Sequence, residues 1–124
     1  MDSERIKILV VDDDEVLIEI YQVFLKDFRV LIAKNGEEAV RMFKFFKPDI
    51  VLMDISMPLM DGVEATREIM KINPSAIVIG VTAFSSQRGE ELLRAGAKEI
   101  IRKPFNRKVL LEVIKKYADG LRKS

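Results

Sequence analysis

Three aspartates, Asp12, Asp13 and Asp14, directly follow the apolar run ILVV, and a fourth, Asp54, closes the apolar run IVLM. Thr82 closes AIVIGV, and Lys103 stands just past KEIIR. Carboxylates without histidine or cysteine nearby form a hard-oxygen donor set, the chemistry suited to Mg²⁺. A carboxylate is also a nucleophile that can take a phosphoryl group as an acyl phosphate. Phosphoryl transfer needs little beyond positioning and neutralisation of the equatorial oxygens, and an ammonium and a hydroxyl supply neutralising donors. Asp54 stands apart in sequence from the other acids and is the candidate acceptor.

Taken singly, each residue has an ordinary role. Asp12 or Asp14 could cap a helix, Asp54 could form a turn, Thr82 could cap the helix after it, and Lys103 could be solvated. Those readings leave no reason for acids from two separate apolar runs to meet. The elements that carry them supply one.

Short apolar runs at 6–11, 29–33, 49–54, 76–82 and 98–102 read as buried strands. Between them lie segments with helical apolar spacing. The first carries Leu17, Ile20, Tyr21, Phe24 and Phe28; the second ends before Pro48; the third ends before Asn73-Pro74; the last has Gly120 near its stop. The fourth, SSQRGEELLRAGA, is the weakest, with serines for a cap, Gly89 inside, and Leu92 and Leu93 as anchors. Strands apolar throughout and alternating with helices predict a doubly wound α/β fold with five helices. Its five-stranded parallel sheet takes the order 2-1-3-4-5 of flavodoxin-like folds. Ligands bind such sheets beyond the carboxyl ends of the strands, where Asp12, Asp13, Asp54, Thr82 and Lys103 all fall.

Composition narrows the function further. With 124 residues and 48% hydrophobic content, residues 1–124 are expected to form one domain. There is no cysteine and no histidine, which removes thiol catalysis, zinc–thiolate sites and Ser–His machinery. A net charge of +1 argues against a nucleic-acid or membrane-coating role. No run reaches the length of a membrane span and no signal peptide is visible, so a cytoplasmic protein is expected. From Arg102 onward, eight basic residues face only Glu112 and Asp119, a solvated helix face or a docking surface.

LVVDDDE, VLMDISMPLMDGVEATREI, VTA and RKPF, in this order and spacing, closely resemble the receiver domain of bacterial two-component response regulators. The match runs from Ile6 to the last helix. The resemblance implies that Asp54 is the phosphoacceptor, with a sensor histidine kinase or histidine phosphotransfer protein as donor. It implies Mg²⁺ held by Asp13 directly, by Asp12 mainly through water, by Asp54 and by the backbone carbonyl of Ser56. Thr82 matches the switch hydroxyl and Lys103 the phosphoryl-contacting ammonium. Lys103-Pro104 matches the family's cis peptide, although trans is the general preference. Pro58 and Gly62 match the loop after the acceptor, where glycine would serve a backbone turn. By the same resemblance the chain is a phosphoprotein that undergoes self-catalysed acceptance and hydrolysis only, not an enzyme acting on other substrates.

Two positions depart from the pattern. Ile100 stands where the family usually has a switch aromatic, three residues before Lys103. Phe84, two after Thr82, would either shield an acyl phosphate or pack on the fourth helix. A metal-dependent phosphohydrolase would need a second acid where Ser56 stands. A nucleotide-binding domain of the same topology would be repelled by the first acidic run. A degenerate receiver acting as a constitutive interaction module is the remaining alternative. The expectation is a stand-alone receiver, a monomer or a weak phosphorylation-linked dimer, whose strand 4–helix 4–strand 5 face controls a downstream protein target. The first helix, including Val16, and the loop after the fifth strand would receive the phosphodonor. Asp14, at the start of that helix, is expected to face solvent and to be dispensable.

Overall fold

The structure is a computed structural model that describes residues 5–83 and 87–122. Five strands alternate with five helices: β1 (Lys7–Val11), α1 (Glu15–Phe24), β2 (Arg29–Ala33), α2 (Gly36–Phe46) and β3 (Ile50–Asp54), then α3 (Gly62–Ile72), β4 (Val78–Ala83), α4 (Gly89–Ala95), β5 (Glu99–Lys103) and α5 (Arg107–Arg122). All four strand pairs are parallel, in the order β2-β1-β3-β4-β5. This is the predicted doubly wound sheet.

Alternation along the strands divides the core in two, because successive side chains of a strand leave opposite faces. Leu9, Val11, Val51, Met53 and Val78 pack with α2, α3 and α4, through residues such as Phe43, Ile69 and Leu92. Ile8, Val10, Ile50, Leu52, Ile79, Val81 and Ile101 pack with α1 and α5, through Tyr21, Leu110 and Ile114. β3 is buried over its whole length, which explains why no polar residue interrupts it before Asp54. Among the described residues, no helix is long and apolar enough to cross a membrane.

Helix ends follow local chemistry. Asn35 caps α2 through Glu38 N–H, and Asp61 caps α3 through Glu64 N–H. α2 stops where Lys47 turns left-handed, at φ 50°, just before Pro48. Several expectations need correction. α1 ends at Phe24, and its cap, Leu25, donates to Tyr21 C=O, so Phe28 lies beyond the helix and packs from the following turn. Ile20 is exposed rather than core, whereas Val16 is exposed as a docking surface on α1 requires. Gly120 does not stop α5, which runs on to Arg122.

α4 departs most from its expected form. It is only seven residues long and starts at Gly89, so that glycine opens the helix instead of weakening its interior. Its cap position is Arg88, with no side-chain capping hydrogen bond. Of its two leucines only Leu92 is buried; Leu93 is exposed. The serines expected as its cap, Ser85 and Ser86, and the neighbouring Phe84 lie outside the described residues.

Candidate phosphoacceptor and metal site

Strand order brings the candidate residues together. β1 and β3 are neighbours in register, Val11 opposite Met53, so Asp12 and Asp13 emerge beside Asp54. One carboxylate oxygen from each of the three acids can be chosen so that all lie within 4.8 Å of one another. Asp12 and Asp54 are buried, at 1% and 8% exposure, while Asp13 is exposed. Lys103, the last residue of β5, extends across the sheet edge. Its Nζ lies 3.2 Å from Asp54 Oδ1 and 3.4 Å from Asp12 Oδ2. The Lys103-Pro104 peptide is cis, the isomer that the resemblance implied and the general preference disfavours.

Burial raises the Asp54 carboxyl above its ordinary range, and the Asp12 charge adds to this; Lys103 and the Ile55 N–H oppose it. Lys103 is shaped by the same contacts in reverse. Burial acts to lower its pKa, but Asp54 and Asp12 outweigh that and hold it above the usual ammonium value. Lys103 therefore partly neutralises two of the three acids, Asp12 and Asp54. Such a donor set of hard oxygens, two of them buried, fits a small divalent cation.

Below the acids lies Tyr21, 1% exposed, whose phenol is pushed up by burial and by the charges of Asp12 and Asp54. It stacks on Phe105, with ring centroids 5.5 Å apart, and so ties α1 to the segment after Lys103. The acidic run itself splits by role. Asp12 Oδ1 accepts from Asp14 N–H at 2.9 Å, which fixes the turn out of β1. Asp14 Oδ1 accepts from Val16 and Leu17 N–H, at 3.0 and 3.3 Å, and caps α1. Asp14 is exposed, as expected, but it is not idle.

Ser56 is exposed in the loop that follows Asp54. Gly62 sits where this loop enters α3, and its N–H donates to Ile55 C=O at 2.8 Å. The expected reason for glycine here was a backbone turn. The actual reason is closeness: a Cβ would stand 1.9 Å from Asp54 O and 2.8 Å from Asp54 C. The left-handed residue of this loop is Leu59, at φ 70°.

Thr82 is buried near the end of β4, at 1% exposure. It does not cap α4, which begins seven residues later. Its hydroxyl donates to Ala83 C=O at 3.3 Å and accepts from Arg102 Nη1 at 3.5 Å. Sequence reasoning passed over Arg102. The available signal was a second cation directly before Lys103 at the end of β5, which the structure sets in register with Thr82. Arg88 was also missed: it joins the start of α4 to the α3 cap, Asp61, at 3.1 Å, and to Glu91 at 2.9 Å.

Residues 8–115 match the family model for the response regulator receiver domain. The chain belongs to that family. It is 41% identical over 118 residues to the chemotaxis protein CheY of Thermotoga maritima, covering 89% of this chain and 95% of the relative. Among solved structures, a CheY-like receiver domain from Methanospirillum hungatei superposes with a TM-score of 0.88 at 32% identity, covering 96% of this chain and 98% of the other. The receiver domain of the sensor histidine kinase PA1611 from Pseudomonas aeruginosa superposes at 0.87 with 31% identity, over 93% and 98%. That structure has a magnesium ion coordinated in its active-site cleft. This receiver is accordingly a two-component signalling domain of the CheY-like type. Nothing in its geometry favours the degenerate-module alternative, since acids, lysine and threonine are all in place.

Proposed function

We propose that this receiver accepts a phosphoryl group on Asp54 from a histidine kinase or histidine phosphotransfer protein in the cytoplasm. The observation that carries the proposal is the Lys103 ammonium bridging Asp54 and Asp12 at the sheet edge, beside Asp13. An Asp54 Oδ attacks phosphorus, the bond from phosphorus to the donor's imidazole nitrogen breaks, and the imidazole leaves with that electron pair. Lys103 moves from the carboxylate to the incoming phosphoryl oxygen, where its charge is needed as negative charge accumulates. The Thr82 hydroxyl turns to donate to a second oxygen. Asp12, Asp13, Asp54 and the Ser56 backbone carbonyl would hold Mg²⁺, which when bound supplies charge neutralisation between carboxylates and phosphate. Hydrolysis of the acyl phosphate returns the resting state, so the domain catalyses only its own modification.

The donor would approach over α1 and the segment after β5. Asp14, Val16, Leu17, Ile20, Lys103, Pro104 and Phe105 line an open groove of about 300 Å³ next to the site. Val16 is 67% exposed there, an apolar side chain that the fold itself leaves uncovered. The added charge at Asp54 then biases the β4–α4–β5 face towards or away from a downstream protein.

Incubation with a small phosphodonor, with and without Mg²⁺, followed by intact mass, tests the proposal. The expected result is a gain of one phosphoryl group that needs Mg²⁺ and disappears in Asp54→Asn. No gain, or a gain unchanged in that variant, refutes it.

A further inference from the structure

The acids after β1 and the loop after β3 come from different strands, yet one short turn touches both. Ala33, the last residue of β2, lies opposite Val11, and its C=O accepts from Asp12 N–H at 3.0 Å. Further along, Gly36, the first residue of α2, donates its N–H to Met60 C=O, also at 3.0 Å. The β2–α2 turn therefore reaches from the backbone of Asp12 to the backbone of the loop 55–61, which carries Ser56. Its own residues, Ala33, Lys34, Asn35 and Gly36, belong to neither the acidic cluster nor that loop.

This tie has no slack. A Cβ on Gly36 would stand 2.3 Å from Met60 O and 2.8 Å from both Met60 C and Met60 Cβ, so α2 and the loop already touch. The loop is held on its own account too. Met60 N–H donates to Pro58 C=O at 2.9 Å, around the single residue Leu59 at φ 70°. A turn closed over one left-handed residue is the strained γ form, and a bulky leucine stays in it only where the surroundings fix it. The turn 33–36 is stiff in its turn. Asn35 Oδ1 accepts from Glu38 N–H at 2.8 Å, and Glu38 Oε1 accepts from Lys34 N–H at 2.7 Å, a reciprocal exchange of capping-box type. The Lys34 ammonium pairs with Glu15 in the first turn of α1.

We propose that the β2–α2 turn is the spacer of the metal site and that Gly36 is its positioning residue. It sets the separation between Asp12 and Asp13 on one side and the Ser56 carbonyl on the other. Mg²⁺ demands near-ideal placement of its ligands. A ligand set drawn from two loops therefore needs a contact outside the set to fix their distance. With any side chain at position 36, Met60 must retreat from α2, and the loop that carries Ser56 moves with it while Asp12 stays tied to Ala33. The inference rests on the Mg²⁺ site proposed above.

Titration of the full chain with Mg²⁺, followed through the amide shifts of Asp13 and Ser56, reads binding without any phosphoryl transfer. Gly36→Ala should need about tenfold more Mg²⁺ for half-saturation, the low end of what residues that orient metal ligands contribute. With a small phosphodonor, the Mg²⁺ midpoint of acceptance should rise likewise, while the rate at saturating Mg²⁺ returns close to native. A merely structural role would do the reverse, lowering that plateau and leaving the midpoint alone. Glu38 offers a milder pair of variants at a position that tolerates change. Glu38→Ala removes the brace on Lys34 N–H and should weaken Mg²⁺ about threefold, the worth of one modest hydrogen bond. Glu38→Gln keeps an acceptor and should bind as the native protein does. An unchanged midpoint in folded Gly36→Ala overturns the proposal. Should that variant not fold, the Glu38 pair decides: native-like binding in Glu38→Ala overturns it, and so does binding equally weak in both, which would make charge the cause instead of the turn. Absence of Mg²⁺-dependent shifts in the native protein overturns the metal site itself, and the spacer with it.

Discussion

Gly62→Ala is the substitution whose effect the geometry fixes most tightly. Its new methyl would meet Asp54 O at 1.9 Å, Asp54 C at 2.8 Å and Ile55 Cα at 2.9 Å. Ordinary carbon contacts begin near 3.5 Å, so the nearest atom must retreat by roughly 1.5 Å. All three atoms are backbone, and two belong to Asp54 itself, so no rotamer change relieves the clash. Retreat is also opposed by the Gly62 N–H bond to Ile55 C=O, at 2.8 Å. Overpacking of this kind costs about 1–3 kcal/mol. The gain of roughly 0.5–1 kcal/mol that alanine brings to a helix offsets only part of it. A displacement of about 1 Å at a reacting group costs on the order of 100-fold in rate. The expected variant is folded but less stable in urea, and it accepts phosphoryl from a small donor about 100-fold more slowly. Stability and phosphorylation rate both equal to the native values would refute the close contact between α3 and the Asp54 carbonyl.

Other expectations follow from single contacts. Asp14→Ala removes the α1 cap and should cost about 1 kcal/mol, which lowers Tm by about 4 °C in a calorimetric scan; an unchanged Tm would return Asp14 to the dispensable role first expected of it. Thr66→Val should be neutral or stabilising by up to about 1 kcal/mol in urea titration, since the buried Thr66 hydroxyl has no hydrogen-bond partner among the described residues. Asp54→Asn in metal-free buffer should raise stability at neutral pH. Burial and Asp12 raise the Asp54 pKa on folding, so the native protein binds that proton more tightly folded than unfolded and loses stability as pH climbs through the folded value. The advantage of the variant should therefore shrink to nothing below about pH 4, where the carboxyl is protonated in both states. An advantage independent of pH would contradict this assignment.

The sheet and the site were legible because both depend on strand ends. Five apolar runs define the strands, and the residues that break them, Asp12, Asp54, Thr82 and Lys103, are those that the topology carries to one edge. What stayed hidden depends on distances between elements that are remote in sequence. Gly62 was assigned a turn, when its real constraint is the Asp54 carbonyl pressed against it. Leu93 and Leu92 are indistinguishable as letters, yet a helix of seven residues buries only one of them. Arg102 read as one more cation in a basic tail until the β4–β5 register set it against Thr82. Asp14 was named as a possible cap and then expected to be dispensable, although an aspartate one residue before a helical pattern is the ordinary signature of a cap.

Asp61 serves two masters. It closes the first turn of α3 through Glu64 N–H, and it holds Arg88 at the threshold of α4. α4 itself brings little to the bargain: seven residues, one buried leucine and no side-chain cap. Much of its attachment at that end is therefore ionic, and a half-exposed ion pair weakens as salt shortens the screening length from about 10 Å at 0.1 M to about 3 Å at 1 M. The sheet, apolar through its thickness, is indifferent to that change. The molecule thus has a hard interior and a soft corner whose stiffness follows the electrolyte around it, so the surrounding salt concentration becomes a setting on how readily α4 shifts.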